Sequence, residues 1–416
     1  LSTNAKIRIS DAHPLSSALV NDTSTDPFTI KGKLFVSNPN SGNETWIAGT
    51  KPTLSPIVWS RDGSIQNITL RLYDGSGWHD IANVLYGTPE YNGSTFSNWT
   101  IPDGAVKSTA QAKVNITDAG ESSVTDTSNN SFLIRGSLDI TAPNTYDERL
   151  MANSTYNITW TKSGIYSPDD KIKIEHSVNE GAYQSVWSAA LNKTGDSIEA
   201  SAGYFPWTVP GSTLSPNVKV KLTRLADLFN VPASISQRCK IVGSLKVDAP
   251  PEGAKWLVNE TNYIKWTRQG NIQNVSIYYS NGTGNYTFID YADGGTGGDG
   301  YLWRIPNIPG IVSPNATIKV ADASDPDTAN ISYPFSIIPK FDITAPVTDQ
   351  KLRANKVEYI TWDRSGQNPT VNLYWSKTNF QEGLGTMIGA GVTNNGNYSW
   401  TVPDVLNSTV KVRITY

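Results

Sequence analysis

Four times the chain repeats the phrase Trp-x-[Ile/Val]-Pro, as Trp99-Thr100-Ile101-Pro102, Trp207-Thr208-Val209-Pro210, Trp303-Arg304-Ile305-Pro306 and Trp400-Thr401-Val402-Pro403. The prolines lie 108, 96 and 97 residues apart, the length of one small domain rather than of a solenoid unit. A second phrase, Trp-x-[Arg/Lys]-x-Gly, keeps step with it at Trp59, Trp160, Trp266 and Trp362, closing on Gly63, Gly164, Gly270 and Gly366. Two phrases recurring in the same order at the same spacing constrain the chain to a tandem array.

The 416 residues then divide into whole modules at 33–136, 137–243 and 244–339, a module at 340–416 that lacks its last strand, and a leading piece, 1–32, that holds only the closing strands of a module. Residues 4–10 alternate apolar and charged with period two, the pattern of a half-buried strand. The same strand returns at 112–117, 218–223, 317–321 and 409–415, and the short strand after it at 27–30, 132–134 and 334–337. Each whole module opens on a strand closed by Pro39, Pro143, Pro250 or Pro346. Only a few residues separate one module from the next, with no flexible Gly/Ser or Pro-rich linker, so neighbours are expected nearly in line, as a rod.

Tyr156, Ile158 and Trp160 point one way along their strand while Asn157 and Thr159 point the other. The glycine of each Trp-x-[Arg/Lys]-x-Gly reads as a turn residue with positive φ. Pro closes the strand bearing the other tryptophan, because it has no N–H to continue a ladder. No apolar window has helical spacing, and Val, Ile, Thr, Tyr and Trp fill the periodic stretches. About seven short strands per hundred residues predict an all-β fold of tandem Ig-like or fibronectin-like antiparallel β-sandwiches, with both recurring tryptophans in the core. Cys239 stands where other repeats have Phe28, Phe132 and Phe335, and reads as a buried thiol in place of a ring.

These residues carry a resemblance. Trp-x-[Arg/Lys]-x-Gly, Val275-Ser276-Ile277-Tyr278-Tyr279-Ser280, Tyr398-Ser399-Trp400-Thr401-Val402-Pro403 and Val410-Lys411-Val412-Arg413-Ile414-Thr415 make the modules resemble the N-terminal domain of the Ser/Thr-rich, glycosylphosphatidylinositol-anchored cell-wall family of fungi, a domain also strung in tandem in prokaryotic surface proteins. The resemblance implies an Ig/fibronectin-like sandwich on a cell surface and no catalytic residues. The first whole module departs most from it, with a longer central region from 73 to 96.

Asn-x-Ser/Thr occurs eighteen times, at Asn21, Asn43, Asn67, Asn92, Asn98, Asn115, Asn129, Asn153, Asn157, Asn192, Asn259, Asn274, Asn281, Asn285, Asn315, Asn330, Asn397 and Asn407. Thirty-six asparagines in so Ser/Thr-rich a chain give about seven by chance. In Asn67-Ile68-Thr69, Asn115-Ile116-Thr117, Asn157-Ile158-Thr159 and Asn397-Tyr398-Ser399 the middle residue faces the core, which puts Asn and hydroxyl outward. N-linked glycans on several of these sites are expected, in an archaeal or eukaryotic envelope. The plainer reading is that outward strand positions favour Thr and turns favour Asn.

Other chemistry is sparse. A net charge of −3 offers no basic stripe for nucleic acid, and no apolar run of 18 residues suits a membrane span. One cysteine makes neither an internal disulfide nor a cysteine-based metal site. His13, His79 and His176 occupy unrelated places in their modules, and neither nucleophile, zinc nor phosphate-loop motifs occur, so no enzyme and no cofactor is expected. The acidic stretches 322–327 and Asp169-Asp170 lack the spacing of a calcium loop, so no metal site is assigned.

The reading is therefore a structural extracellular repeat protein, part of a cell-surface filament, sheath or stalk, whose partners are copies of itself or flanking repeats, head to tail. The alternative is an adhesin or wall-glycan-binding array using Trp78, Tyr278, Tyr279 and Trp375. A chain opening on Leu1 and closing inside a module is expected to be a processed or excised piece of a longer one, or to complete its open module with the 28–30 strand of another copy.

Overall fold

The computed structural model describes residues 2–13, 20–103, 109–164, 170–225, 231–295, 300–381, 383–407 and 409–416. Strands hold 54% of the described residues and helices 2%, which makes the chain all-β, as the β-branched and aromatic periodicity requires. Two compact units are present, one of Leu1–Arg149, Ser154–Val209 and Ser215–Lys240, the other of Leu150–Asn153, Pro210–Leu214 and Ile241–Tyr416.

In the second unit one sheet runs in the order Ser244–Ala249, Thr261–Gln269, Tyr301–Arg304. The facing sheet runs Lys255–Leu257, Phe335–Ile338, Ser313–Asp322, Asn274–Ser280, Thr287–Asp293. Between them lie Trp256, Ile264, Trp266, Ile277, Trp303, Ile318 and Phe335, all buried. The same two-sheet order recurs in the first unit. There Lys33–Asn38, Ile57–Asp62 and Thr95–Phe96 form one sheet, and Thr45–Ile47, Phe132–Arg135, Thr109–Asp118, Ile68–Tyr73 and Trp78–Val84 the other.

The sandwiches are antiparallel except at one edge. Thr45–Ile47 pairs in parallel with Phe132–Arg135, and Lys255–Leu257 with Phe335–Ile338. The cause is the proline after the opening strand, at Pro39 and Pro250. It ends the ladder with the first sheet, and the chain then crosses to the facing sheet. A register shift at Val36/Asn38, and likewise at Val247/Ala249, precedes the crossing. The backbone N–H at that shift takes a side-chain acceptor from the other sheet: Val36 N–H donates to Asp126 Oδ2 at 2.7 Å and Val247 N–H to Asn330 Oδ1 at 2.9 Å. Ile140 N–H does the same to Ser234 Oγ at 3.0 Å.

Two sequence expectations need correction. Residues 4–10 do not form one half-buried strand. They span the end of one short strand, Ser2–Ala5, a break at residues 6 and 7, and a second strand, Arg8–Ser10, with Ile7 and Ile9 at 59% and 73% exposure. They pair with Phe28–Ile30 and Asn21–Thr23, and among the described residues no facing sheet covers their apolar side. The long central region of the first sandwich holds a short helix, Pro89–Gly93, which the apolar spacing does not reveal. It is specified by its ends instead: Thr88 Oγ1 accepts from Tyr91 N–H, Pro sits in the first turn, and Ser94 closes it in a left-handed conformation.

In the last sandwich Lys340–Ala345, Val357–Ser365 and Asn397–Thr401 face Thr386–Thr393, Thr370–Ser376 and Lys411–Thr415. Among the described residues, Lys411–Thr415 pairs on one side only, with Thr370–Ser376, and Val412 and Ile414 remain half-buried.

Candidate functional surfaces

All eighteen sequon asparagines lie at the surface: Asn67, Asn115, Asn281 and Asn330 are partly covered, and the other fourteen exposed. The alternation explains the strand sites, since Ile68, Ile116 and Ile158 between Asn and Thr are fully buried and turn their neighbours outward. The turn sites have a different cause. Asn153, Asn192 and Asn259 occupy positive φ, at 61°, 49° and 68°, a region Asn tolerates better than most residues.

Local hydrogen bonds separate these sites. In Asn281 and Asn407 the hydroxyl of Thr283 or Thr409 donates back to the asparagine Oδ1 at 2.8 Å, and Asn281 Nδ2 also donates to the Gly310 carbonyl at 3.4 Å. Asn115 is held otherwise, its Nδ2 facing Thr125 Oγ1, the Asp126 carbonyl and Thr127 Oγ1 at 2.9, 3.1 and 3.0 Å. Asn330 serves the Val247 N–H through Oδ1, which leaves its nitrogen uncommitted by that bond.

The four candidate sugar-stacking rings do not act together. Tyr279 is buried and donates its OH to the Ile311 carbonyl at 3.0 Å, and Trp375 packs on the last core beside Trp400. Trp78 is 40% exposed and leans on Tyr73. Tyr278, half-buried, does adjoin exposed rings, with Phe288 and Tyr291 at centroid distances of 5.6 Å and then 4.8 Å along the row. Phe288 and Tyr291 lie on the outward side of Thr287–Asp293, a strand whose residues the sequence periodicity does not single out.

The core readings hold. Trp59, Trp160, Trp266 and Trp362 are buried, as are Trp207, Trp303 and Trp400, while Trp99 is half-buried against the first core. A third tryptophan escapes the repeat search: Trp46 packs on Phe132 at 4.6 Å and Trp99 at 5.7 Å, and Trp256 on Phe335 at 4.7 Å and Trp303 at 6.2 Å. Its place in the other repeats is taken by Leu150 and Leu352, so no phrase marks it. Cys239 is fully buried and donates to the Val218 carbonyl, and burial pushes its thiol up to about 12, far from a reactive thiolate.

The acidic stretches are bonded within the protein. Asp170 forms a two-point ion pair with Arg224, and Asp169 lies outside the described residues. Asp322 Oδ1 accepts from Ser324 N–H and Asp325 Oδ2 from Thr328 Oγ1, which closes the 322–328 turn. Among the described residues no cluster of three or more His, Cys, Asp or Glu side chains is arranged to hold a metal.

No family model and no curated protein matches the chain. Solved structures of tandem immunoglobulin domains do. Extracellular domains 3–5 of Drosophila OTK share 11% identity over 74% of this chain and 97% of that one, with a TM-score of 0.31. Immunoglobulin domains 1–5 of Sidekick-1 share 12% identity over 92% and 77%, with a TM-score of 0.24. The insect immune protein hemolin shares 11% over 92% and 96%, with a TM-score of 0.22. At such scores the fold assignment rests on this chain's own sheets.

Proposed function

We propose that the chain is a structural, extracellular repeat protein: modules bounded at 33–136, 137–243, 244–339 and 340–416, with 1–32 before them, built into a glycosylated cell-surface filament, sheath or stalk. The observation that carries this reading is the surface placement of every sequon asparagine on a chain whose buried residues are spent on repeated sandwich cores. Glycans at these positions would coat the outward faces and shield unpaired strand edges. A mass measurement on native material tests it. The mass is expected to exceed the 45.3 kDa of the sequence by several glycans, with Asn115 unmodified because a sugar on its nitrogen must break at least two of three bonds. An unmodified mass contradicts the proposal.

The row of half-buried Tyr278 with exposed Phe288 and Tyr291 favours a second reading, an adhesive array that stacks sugar rings on aromatic faces. Glycan binding that is lost on Tyr291→Ala is the outcome that would select it.

A further inference from the structure

The two repeated phrases meet. In the first unit the turn glycine Gly164 donates its N–H to Asp103 Oδ1 at 2.8 Å, and Asp103 directly follows Trp99-Thr100-Ile101-Pro102. In the second unit Gly366 donates to Asn307 Oδ1, also at 2.8 Å, and Asn307 directly follows Trp303-Arg304-Ile305-Pro306. Gly211, after Trp207-Thr208-Val209-Pro210, has no side chain to offer. Its carbonyl instead takes the N–H of Asn271 at 2.9 Å, both residues belonging to the second unit. One phrase thus ends in an acceptor socket and the other in a donor plug.

The socket has a constant frame. A residue of positive φ, Gly49, Asn259 or Asn355, donates its N–H to the carbonyl of the Ile or Val before the proline, whose own N–H donates to the carbonyl of the next residue, Thr50, Glu260 or Lys356. Asn259 N–H donates to the Ile305 carbonyl and Ile305 N–H to the Glu260 carbonyl, both at 3.0 Å. Asn355 N–H donates to the Val402 carbonyl and Val402 N–H to the Lys356 carbonyl, both at 2.9 Å. From this frame Asn259 Nδ2 reaches the next plug at Ser365 Oγ, 2.6 Å away. The plug must be glycine for two reasons. Its φ is positive, 61° at Gly164 and 90° at Gly366, and a Cβ there would lie 2.8 Å from Gly136 Cα or 3.0 Å from Val312 Cγ2.

Around Asn355 and Val402 the frame is complete, and Asp404 stands in the acceptor place, exposed and without a hydrogen-bond or ion-pair partner among the described residues. Of the plugs, Gly164 and Gly366 are buried and Gly270 half-buried, whereas Gly63 is exposed at a φ of 87°. We infer that Asp404 and the Asn355 turn form a docking surface for a second copy of this chain, which inserts its Trp59-Ser60-Arg61-Asp62-Gly63 turn and donates the Gly63 N–H to the Asp404 carboxylate. Asp62, at the place Ser365 holds in the occupied socket, then accepts from Asn355 Nδ2. The contact joins unlike surfaces of two identical chains and so propagates rather than closes. This inference rests on the repeat-array reading above.

Sedimentation velocity on the full chain over a concentration series tests it, with Asp404→Ala and Asp404→Asn beside the wild type. Asp404 is exposed, so neither change touches a core. The wild type is expected to self-associate, Asp404→Ala to weaken association about tenfold or more through loss of a charge-assisted bond, and Asp404→Asn to retain most of it, as Asn307 does within the chain. A wild type that stays monomeric overturns the inference, and so does Asp404→Ala associating as tightly as wild type, which would assign association to an unpaired strand edge. Native protein that is glycosylated yet monomeric overturns this inference and leaves the proposed extracellular role standing.

Discussion

Trp303 shows how much one repeated residue carries. Its ring is 6% exposed, lies 5.4 Å from Tyr279 and 6.2 Å from Trp256, and sits on a strand whose next residues form the socket frame. Truncation removes a large buried surface from both partner rings, so Trp303→Ala is expected to cost about 3–5 kcal/mol in a denaturant unfolding curve. A loss near the ±0.5 kcal/mol typical of surface changes would place the ring outside the core. Such residues were legible because a tryptophan at fixed spacing before Pro or Gly has few interpretations. Tyr279 was not, since alternation gives its strand Val275, Ile277 and Tyr279 on one face while Ser276 and Tyr278 compete for the other, and the sequence does not say which face the second sheet covers. Asn115 is a different case: it is a surface residue whose amide is engaged by hydroxyls of the neighbouring strand Thr125–Thr127, a short way on in the chain.

Among elements, strands and turn glycines were readable, and the parallel crossing was not. Period-two alternation marks a strand but is blind to which sheet it joins, and Thr45–Ile47 and Lys255–Leu257 are too short to show a period at all. Once Pro39 has ended the ladder, a side chain holds the turn that leads into the first crossing. Glu44 accepts from the N–H groups of Asn40 and Ser41 through Oε1 and Gly42 through Oε2, each at 2.8 Å. Burial pushes its carboxyl up, but the backbone donors, led by Ser41 and Asn40, outweigh this and hold it at about 2, against an ordinary 4.5. A depressed carboxyl stabilises the fold fully above about pH 4.5, and that contribution fades as pH falls toward 2. Protonation should therefore remove on the order of 2 kcal/mol from the first sandwich across this window. Glu44→Gln should flatten the corresponding part of the pH profile of unfolding, and an unchanged profile would show that Glu44 does not hold the turn.

For the whole molecule, repetition is the property that counts. A fold that recurs with nearly constant spacing, carries its sequons on the surface and links Trp-x-[Ile/Val]-Pro to Trp-x-[Arg/Lys]-x-Gly through Asp103 and Asn307 has the parts of an extendable array. The array was legible from spacing alone. The link was not, because the residue after the proline varies among Asp, Gly, Asn and Asp and acquires meaning only when its partner is seen across the joint. Electron microscopy of native material tests the central claim most directly. The proposal predicts continuous, glycan-coated fibres or sheaths with an axial repeat set by the module, and isolated compact particles of one 416-residue chain with a well-ordered last sandwich would contradict it.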